Sequence, residues 1–150
     1  MATNTPVARN RKAFHDYEIL EKFEAGLVLV GPEVKSIREG RVNLKDGYAD
    51  LRGGELYLHN VHISPYEAAN RYNAEPTRPR KVLLHRNELR RLVGKAAEKG
   101  LTIVPLDLHF SRGYAKVTLA LARGKRHHDK RDAIRRRELE REMERAAKNA

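Results

Sequence analysis

Cysteine is missing altogether from these 150 residues, which excludes both a disulfide framework and a zinc site built on thiolates. Long apolar runs are missing too, and nothing approaches the roughly 18 residues that a membrane-crossing helix needs. The opening Met1-Ala2-Thr3-Asn4-Thr5-Pro6-Val7-Ala8 lacks the apolar stretch of a secretory signal. There is no Gly-x-Gly-x-x-Gly fingerprint, no phosphate-binding Walker loop and no Gly-x-Ser-x-Gly elbow. A cytoplasmic chain without a bound cofactor is the expectation.

Acidic residues are in short supply. Asp and Glu number 20 against 31 Lys and Arg, a net charge of +11. So large an excess on a short chain points to a polyanionic partner. Charge alone does not separate DNA, RNA and anionic lipid, and a basic protein that is merely well solvated would look similar. The length suits one domain with tails, and 40 % hydrophobic residues suffice for one modest core.

Residues 1–9 are small and polar and are expected to be disordered. Tyr17 to Val30 mixes apolar and charged residues and predicts two strands with a turn at Ala25-Gly26. Gly31 to Gly40 reads as a short helix, with Pro32 in its first turn and Gly40 ending it. Ala49-Asp50-Leu51-Arg52 and Glu55-Leu56-Tyr57-Leu58 flank the hairpin signal Gly53-Gly54. Beyond it the alternation slips phase: Leu56 and Leu58 share a face, and a bulge near His59 or Asn60 would let Val61 and Ile63 point the same way. Arg86 to Lys99 is the clearest helix, with Leu89, Leu92, Val93 and Ala96 on one stripe and Gly100 as its stop. Leu101–Val104 and Tyr114–Ala122 read as strands, with Leu106–Phe110 between them and a turn at Arg112-Gly113. Short antiparallel strands with inserted helices suggest a small closed or nearly closed barrel.

Two segments stand apart. Ser64 to Lys81 holds Pro65, Pro76 and Pro79 without any period, and a structureless stretch of this length suggests a functional loop. Its tyrosines and arginines can stack on exposed bases, and its cations can hold phosphates. A solvated connection would be the plain alternative. Gly124 to Ala150 carries ten Lys or Arg against six Asp or Glu, and Ile134, Leu139 and Met143 are its only large apolar residues. Such a tail cannot face a core. It is rich in helix formers, yet an isolated helix of this length is marginal in water. The expectation is disorder when free and helix when bound.

Catalysis finds little support. His15-Asp16 and His128-Asp129 pair an imidazole with a carboxylate, but neighbours on an extended segment point apart. Both pairs lie at the margins of the folded region. His59 and His62 face opposite sides of a regular strand, and no further ligand is evident nearby, so no metal is expected.

Four stretches in order carry a resemblance. They are Asn10-Arg11-Lys12-Ala13-Phe14-His15-Asp16-Tyr17; then Phe23-Glu24-Ala25-Gly26-Leu27 with Gly31-Pro32-Glu33-Val34-Lys35-Ser36-Ile37-Arg38; then Glu75-Pro76-Thr77-Arg78-Pro79-Arg80-Lys81-Val82-Leu83-Leu84-His85; and finally Gly124-Lys125-Arg126-His127-His128-Asp129-Lys130-Arg131. In this order and spacing the chain resembles the small protein B family, the binding partners of transfer-messenger RNA (tmRNA). The resemblance runs from about Asn10 into the tail.

It implies a mainly β fold with some α: a small antiparallel OB-like barrel over residues 10–123, with two to three helices and a basic tail over 124–150. It also implies a non-enzymatic adaptor that binds the tRNA-like domain of tmRNA. Its partners would be the alanyl-tmRNA complex with elongation factor Tu and the decoding centre and mRNA channel of the small ribosomal subunit. Matching residue by residue, the resemblance assigns RNA contact to Asn10, Lys12, Glu33, Lys35, Arg38, Arg78, Arg80 and Lys81. It assigns the decoding-site element of the tail to Lys125, His128, Asp129, Lys130 and Arg131.

Overall fold

The computed structural model describes residues 6–125 and 127–148, without the side chains of residues 70–72, 127–136 and 148. The described elements run β1 (Ala8–Arg9), α1 (Arg11–Asp16), β2 (Tyr17–Leu27), α2 (Gly31–Arg38), β3 (Val42–Asn43), β4 (Tyr48–Arg52), β5 (Glu55–His59) and β6 (His62–Ile63). A single 3-10 helix (Glu67–Tyr72) follows, then β7 (Arg80–Leu83), α3 (Arg86–Lys99), β8 (Thr102–Ser111), β9 (Tyr114–Gly124) and α4 (His127–Lys148).

Antiparallel pairing closes a ring in the order β8-β4-β5-β7-β2-β9, with β9 returning to β8. Closure removes the free edges that an open sheet would expose. β1 adds to the far end of β8, and β3 pairs with β6 as a separate ribbon. The result is a six-stranded OB-like barrel, as the sequence suggests.

Alternation along the strands fills the interior. Phe23, Ala25, Leu56, Leu58, Val82, Leu108, Val117, Leu119 and Leu121 are buried there. Ile37 of α2 and Leu92 of α3, neither with any exposed surface, join the same core. A second small cluster forms outside the barrel wall, where Ala13 of α1 covers Val104, Leu106, Ala120 and Ala122. β8 and β9 are therefore buried on both faces there, which explains the apolar runs Ile103–Leu106 and Leu119–Ala122.

The turns match their residues. Gly53 and Gly54 both have positive φ, 61° and 80°, in the hairpin between β4 and β5. Asn60 takes φ 58° between β5 and β6. That kink lets Leu56, Leu58, Val61 and Ile63 all be buried despite their changed phase, the break expected near His59 or Asn60.

Three expectations are corrected. Tyr17 to Leu27 is one strand without a turn at Ala25-Gly26, because both residues pair with β9, opposite Val117 and Lys116, and Gly26 also pairs with Leu83 of β7. The strand also carries a bulge between Ile19 and Glu21. Leu106–Phe110 is no separate segment but the continuation of β8, through a register shift between Pro105 and Asp107. His15 and Asp16 lie on α1, not on an extended segment, and the His15 ring meets the carboxylate at 2.9 Å. α1 itself has a visible start signal, since the Asn10 side chain accepts from the Ala13 amide.

Candidate nucleic-acid interface

Glu33 sits in the first turn of α2, reaches back to accept from the Val30 amide at 3.0 Å, and is 4 % exposed. Two arginines from the segment leading into β7 converge on it. Arg80 pairs opposite Leu58 and so faces the barrel interior, where it is 1 % exposed. Its Nε donates to Glu33 Oε2 at 2.8 Å, and its guanidinium also donates to the carbonyls of Val61 at 2.6 Å and Pro76 at 2.9 Å. Arg78 donates from Nε to Glu33 Oε2 at 3.1 Å and from Nη2 to Oε1. Burial pulls the Glu33 carboxyl up, but donation from Arg78, the Val30 amide and Arg80 outweighs it and holds the group below its ordinary value.

This buried triad straps the Ser64–Lys81 segment across the barrel end. Further bonds hold the segment: Ser36 Oγ donates to Ser64 O at 2.6 Å, and the Ile63 amide to Pro76 O at 2.9 Å. Asn73 both accepts from the Tyr66 amide and donates to its carbonyl, at 2.7 and 2.9 Å. The long irregular loop is thus a shaped surface. Its 3-10 turn needs no sequence period to form.

On the solvent side of α2, the Lys35 ammonium lies 5.3 Å from the Tyr66 ring centre and the Arg38 guanidinium 4.3 Å from that of Phe110. Lys81, opposite Tyr57 on the outer face, pairs with Glu55 at 2.9 Å. Hydrogen bonding and charge within that pair raise the Lys81 pKa and lower that of Glu55.

The residues assigned to RNA therefore divide. Lys12, Lys35 and Arg38 are exposed, Lys81 partly so, and Arg78 keeps a quarter or so of its side chain in solvent. Glu33, Arg80 and Asn10 are buried, and their polar side-chain atoms are engaged within the protein. Asn10 is 2 % exposed, and its amide donates to Leu44 O at 3.0 Å and Pro105 O at 2.8 Å. Lys12 pairs with Asp46 at 3.1 Å beside it.

At the root of the tail, the Lys125 amide donates to Asp16 O at 2.7 Å and its ammonium to Phe14 O at 3.2 Å. α4 follows, and every described side chain from 137 to 147 is exposed. The side chains of His128, Asp129, Lys130 and Arg131 lie outside the described residues. Among the described residues no group of three potential metal ligands occurs, and no helix is long and apolar enough to cross a membrane. His59 turns to Asp50 at 2.5 Å and stacks on Tyr48, while His62 is exposed.

The model of the SmpB protein family matches residues 7–149. This chain belongs to the SmpB family. An SsrA-binding protein of Carboxydothermus hydrogenoformans is 59 % identical over 140 residues, covering 93 % of this chain and 94 % of the relative. One from Symbiobacterium thermophilum is 62 % identical over 142 residues, covering 94 % and 90 %. A solved chain from a structure described as "tmRNA-SmpB: a journey to the center of the bacterial ribosome" superposes with TM-score 0.70 at 55 % identity, covering 88 % of this chain and 96 % of that one.

One surface of this SmpB chain escaped sequence reasoning. Val28, Val30 and Leu83 are 45, 42 and 51 % exposed, an apolar ridge where β2 meets β7. Beside it opens a concavity lined by Glu24, Gly26, Leu83, Leu84, His85, Glu88 and Lys116. The signal was present: Val82-Leu83-Leu84 is apolar at consecutive positions, yet only one face of β7 looks into the barrel.

Proposed function

We propose that this chain is a non-enzymatic RNA-binding adaptor that binds the tRNA-like domain of tmRNA and delivers it to stalled ribosomes. The observation that carries the reading is the family match from residue 7 to residue 149, which includes the tail. The relatives are named SsrA-binding proteins, and the superposed chain comes from a tmRNA-SmpB ribosome structure.

Binding follows from charge held in place. Lys35, Arg38, Arg78, Lys81 and Lys12 supply cations toward phosphates and sugar edges. Glu33 and Arg80 fix the loop that presents Arg78, and Asn10 fixes α1. The exposed ridge of Val28, Val30 and Leu83 adds an apolar contact for bases or riboses whose edges lie open. No dry pocket with a preorganised acid and base is offered by His15-Asp16, whose ring is 77 % exposed, so transfer chemistry is left to the ribosome.

The tail completes the proposal. Lys125, His128, Asp129, Lys130 and Arg131 enter the small subunit where codon and mRNA would lie, and the alanyl-tmRNA arrives with elongation factor Tu. With its described side chains, 137–147, all exposed, α4 is free to exchange water for RNA.

The test is a titration against the isolated tRNA-like domain and against an ordinary tRNA at several matched salt concentrations. Counterion release weakens both with salt, so the affinity ratio is the informative quantity. A preference for the tmRNA domain that survives moderate salt is expected. Equal binding that disappears with salt would leave a general basic RNA-binding barrel.

A further inference from the structure

We propose a second RNA seat, at the root of the tail, in which the Phe14 ring stacks on one unpaired base while Arg9, Arg11 and Lys22 hold the flanking phosphates. The proposal rests on the RNA-binding reading above and extends it to a site that is not on the strapped loop.

Phe14 follows Ala13 on α1. Ala13 turns to the outer cluster and is 2 % exposed, whereas Phe14 leaves 39 % of its surface in water. A phenyl ring left open on a six-residue helix contributes little to packing. The Lys22 ammonium lies 5.9 Å from the ring centre, and Arg9 and Arg11 line a concavity together with Phe14. Among the described residues neither arginine has an acidic partner within ion-pair distance, nor does Lys22.

Some exposed or half-buried cations elsewhere on this chain are neutralised. Lys12 meets Asp46, Lys81 meets Glu55, and Arg91 and Lys95 both meet Glu21. What marks this place is the grouping of three cations that lack an acidic partner around one exposed ring. An aromatic face ringed by guanidinium and ammonium groups is the combination that single-stranded RNA uses, with bases on the ring and phosphates on the cations. Anionic lipid would favour a broader apolar face, and α1 offers only the one ring.

Position strengthens the case. Lys125 donates to Phe14 O, so the seat lies where the tail leaves the barrel. A base held there would stand at the head of the tail's own RNA path.

The chain has no tryptophan, so Phe14→Trp makes a single reporter whose emission a stacked base quenches. Full-length Phe14→Trp is titrated with a short single-stranded oligoadenylate and with a fully paired RNA duplex. Quenching by oligoadenylate but not by duplex is expected. In parallel, Phe14→Leu keeps charge and apolar bulk and should weaken oligoadenylate binding about five- to a hundredfold, with Phe14→Tyr near the parental value. Unquenched emission in the saturated complex, equal quenching by duplex, parental affinity in Phe14→Leu, or no oligoadenylate binding at all would each overturn the seat. A blue shift on anionic vesicles without a response to RNA would reassign the surface to lipid and overturn it too. The affinity ratio for the tRNA-like domain, measured on the same proteins, reports on the adaptor reading separately.

Discussion

Glu33 concentrates the strongest residue-scale demand in this chain. Its carboxylate is the shared partner of two arginines, one of them almost fully buried. Removing one partner of such a cluster leaves charge uncompensated, so Glu33→Gln should destabilise the barrel by about 3 kcal/mol in denaturant unfolding. The pH dependence has a definite sign. The folded carboxyl lies below its ordinary 4.5, so its contribution is whole above that pH and is lost as pH falls through the lower folded value. Parental and Glu33→Gln stabilities should therefore converge on acidification, read as thermal midpoints along a pH series. Asn10→Ala should cost about 2–4 kcal/mol, because it removes a helix cap and leaves the buried carbonyls of Leu44 and Pro105 unpaired. Gly47→Ala is a third case: an added Cβ would stand 2.7 Å from Pro105 Cγ and 2.9 Å from Val61 Cγ2. Overpacking there should cost about 1–3 kcal/mol by the same unfolding measurement.

Elements were legible in the sequence where one local rule governed them. α3 follows its apolar stripe from Arg86 to Lys99 and stops at Gly100, whose φ is 62°. The Gly53-Gly54 and Arg112-Gly113 turns needed left-handed residues and have them. Ala25-Gly26 looks like a turn by residue type alone, yet both residues pair with β9, and Pro105 suggests an ending although β8 runs on through it. The site was less legible than the fold. Glu33 and its arginines are more than forty positions apart, so nothing local shows that one carboxylate gathers both guanidiniums into a largely buried cluster. Arg80 looks like any loop cation until its pairing with Leu58 turns it inward. For α4 the expected behaviour follows from the exposure of its described side chains, 137–147. Truncation after Lys125 should leave the unfolding midpoint and the affinity for the tRNA-like domain nearly unchanged while abolishing peptide tagging in a reconstituted translation assay. Loss of both binding and tagging would place the tail in the tmRNA contact itself.

At the scale of the whole molecule the barrel is closed unevenly. β9 is matched residue by residue with β2 on one side and β8 on the other, whereas β4 meets β8 through the single pair Ala49 and Ile103. α3 lies over that seam, with Val93, Ala96 and Ala97 beside Ala49, Leu51 and Ile103. Local opening takes the route with the fewest backbone bonds. Amide hydrogen exchange should therefore be faster in β4 and at Thr102–Ile103 than in the middle of β9, and Leu92→Ala should widen the difference by loosening α3.

The well-bonded strand is also the one that continues into the tail. Gly124 ends β9 and Lys125 is tied back to α1 through Asp16 and Phe14. A pull on the tail would run along β9 in shear, loading the bonds to two neighbouring strands together instead of unzipping them one at a time. The barrel is thus a mechanical anchor for its own tail: tension applied at residue 126 and beyond would be borne first by the stiffest part of the wall, before it reaches the weak seam on the far side of β8.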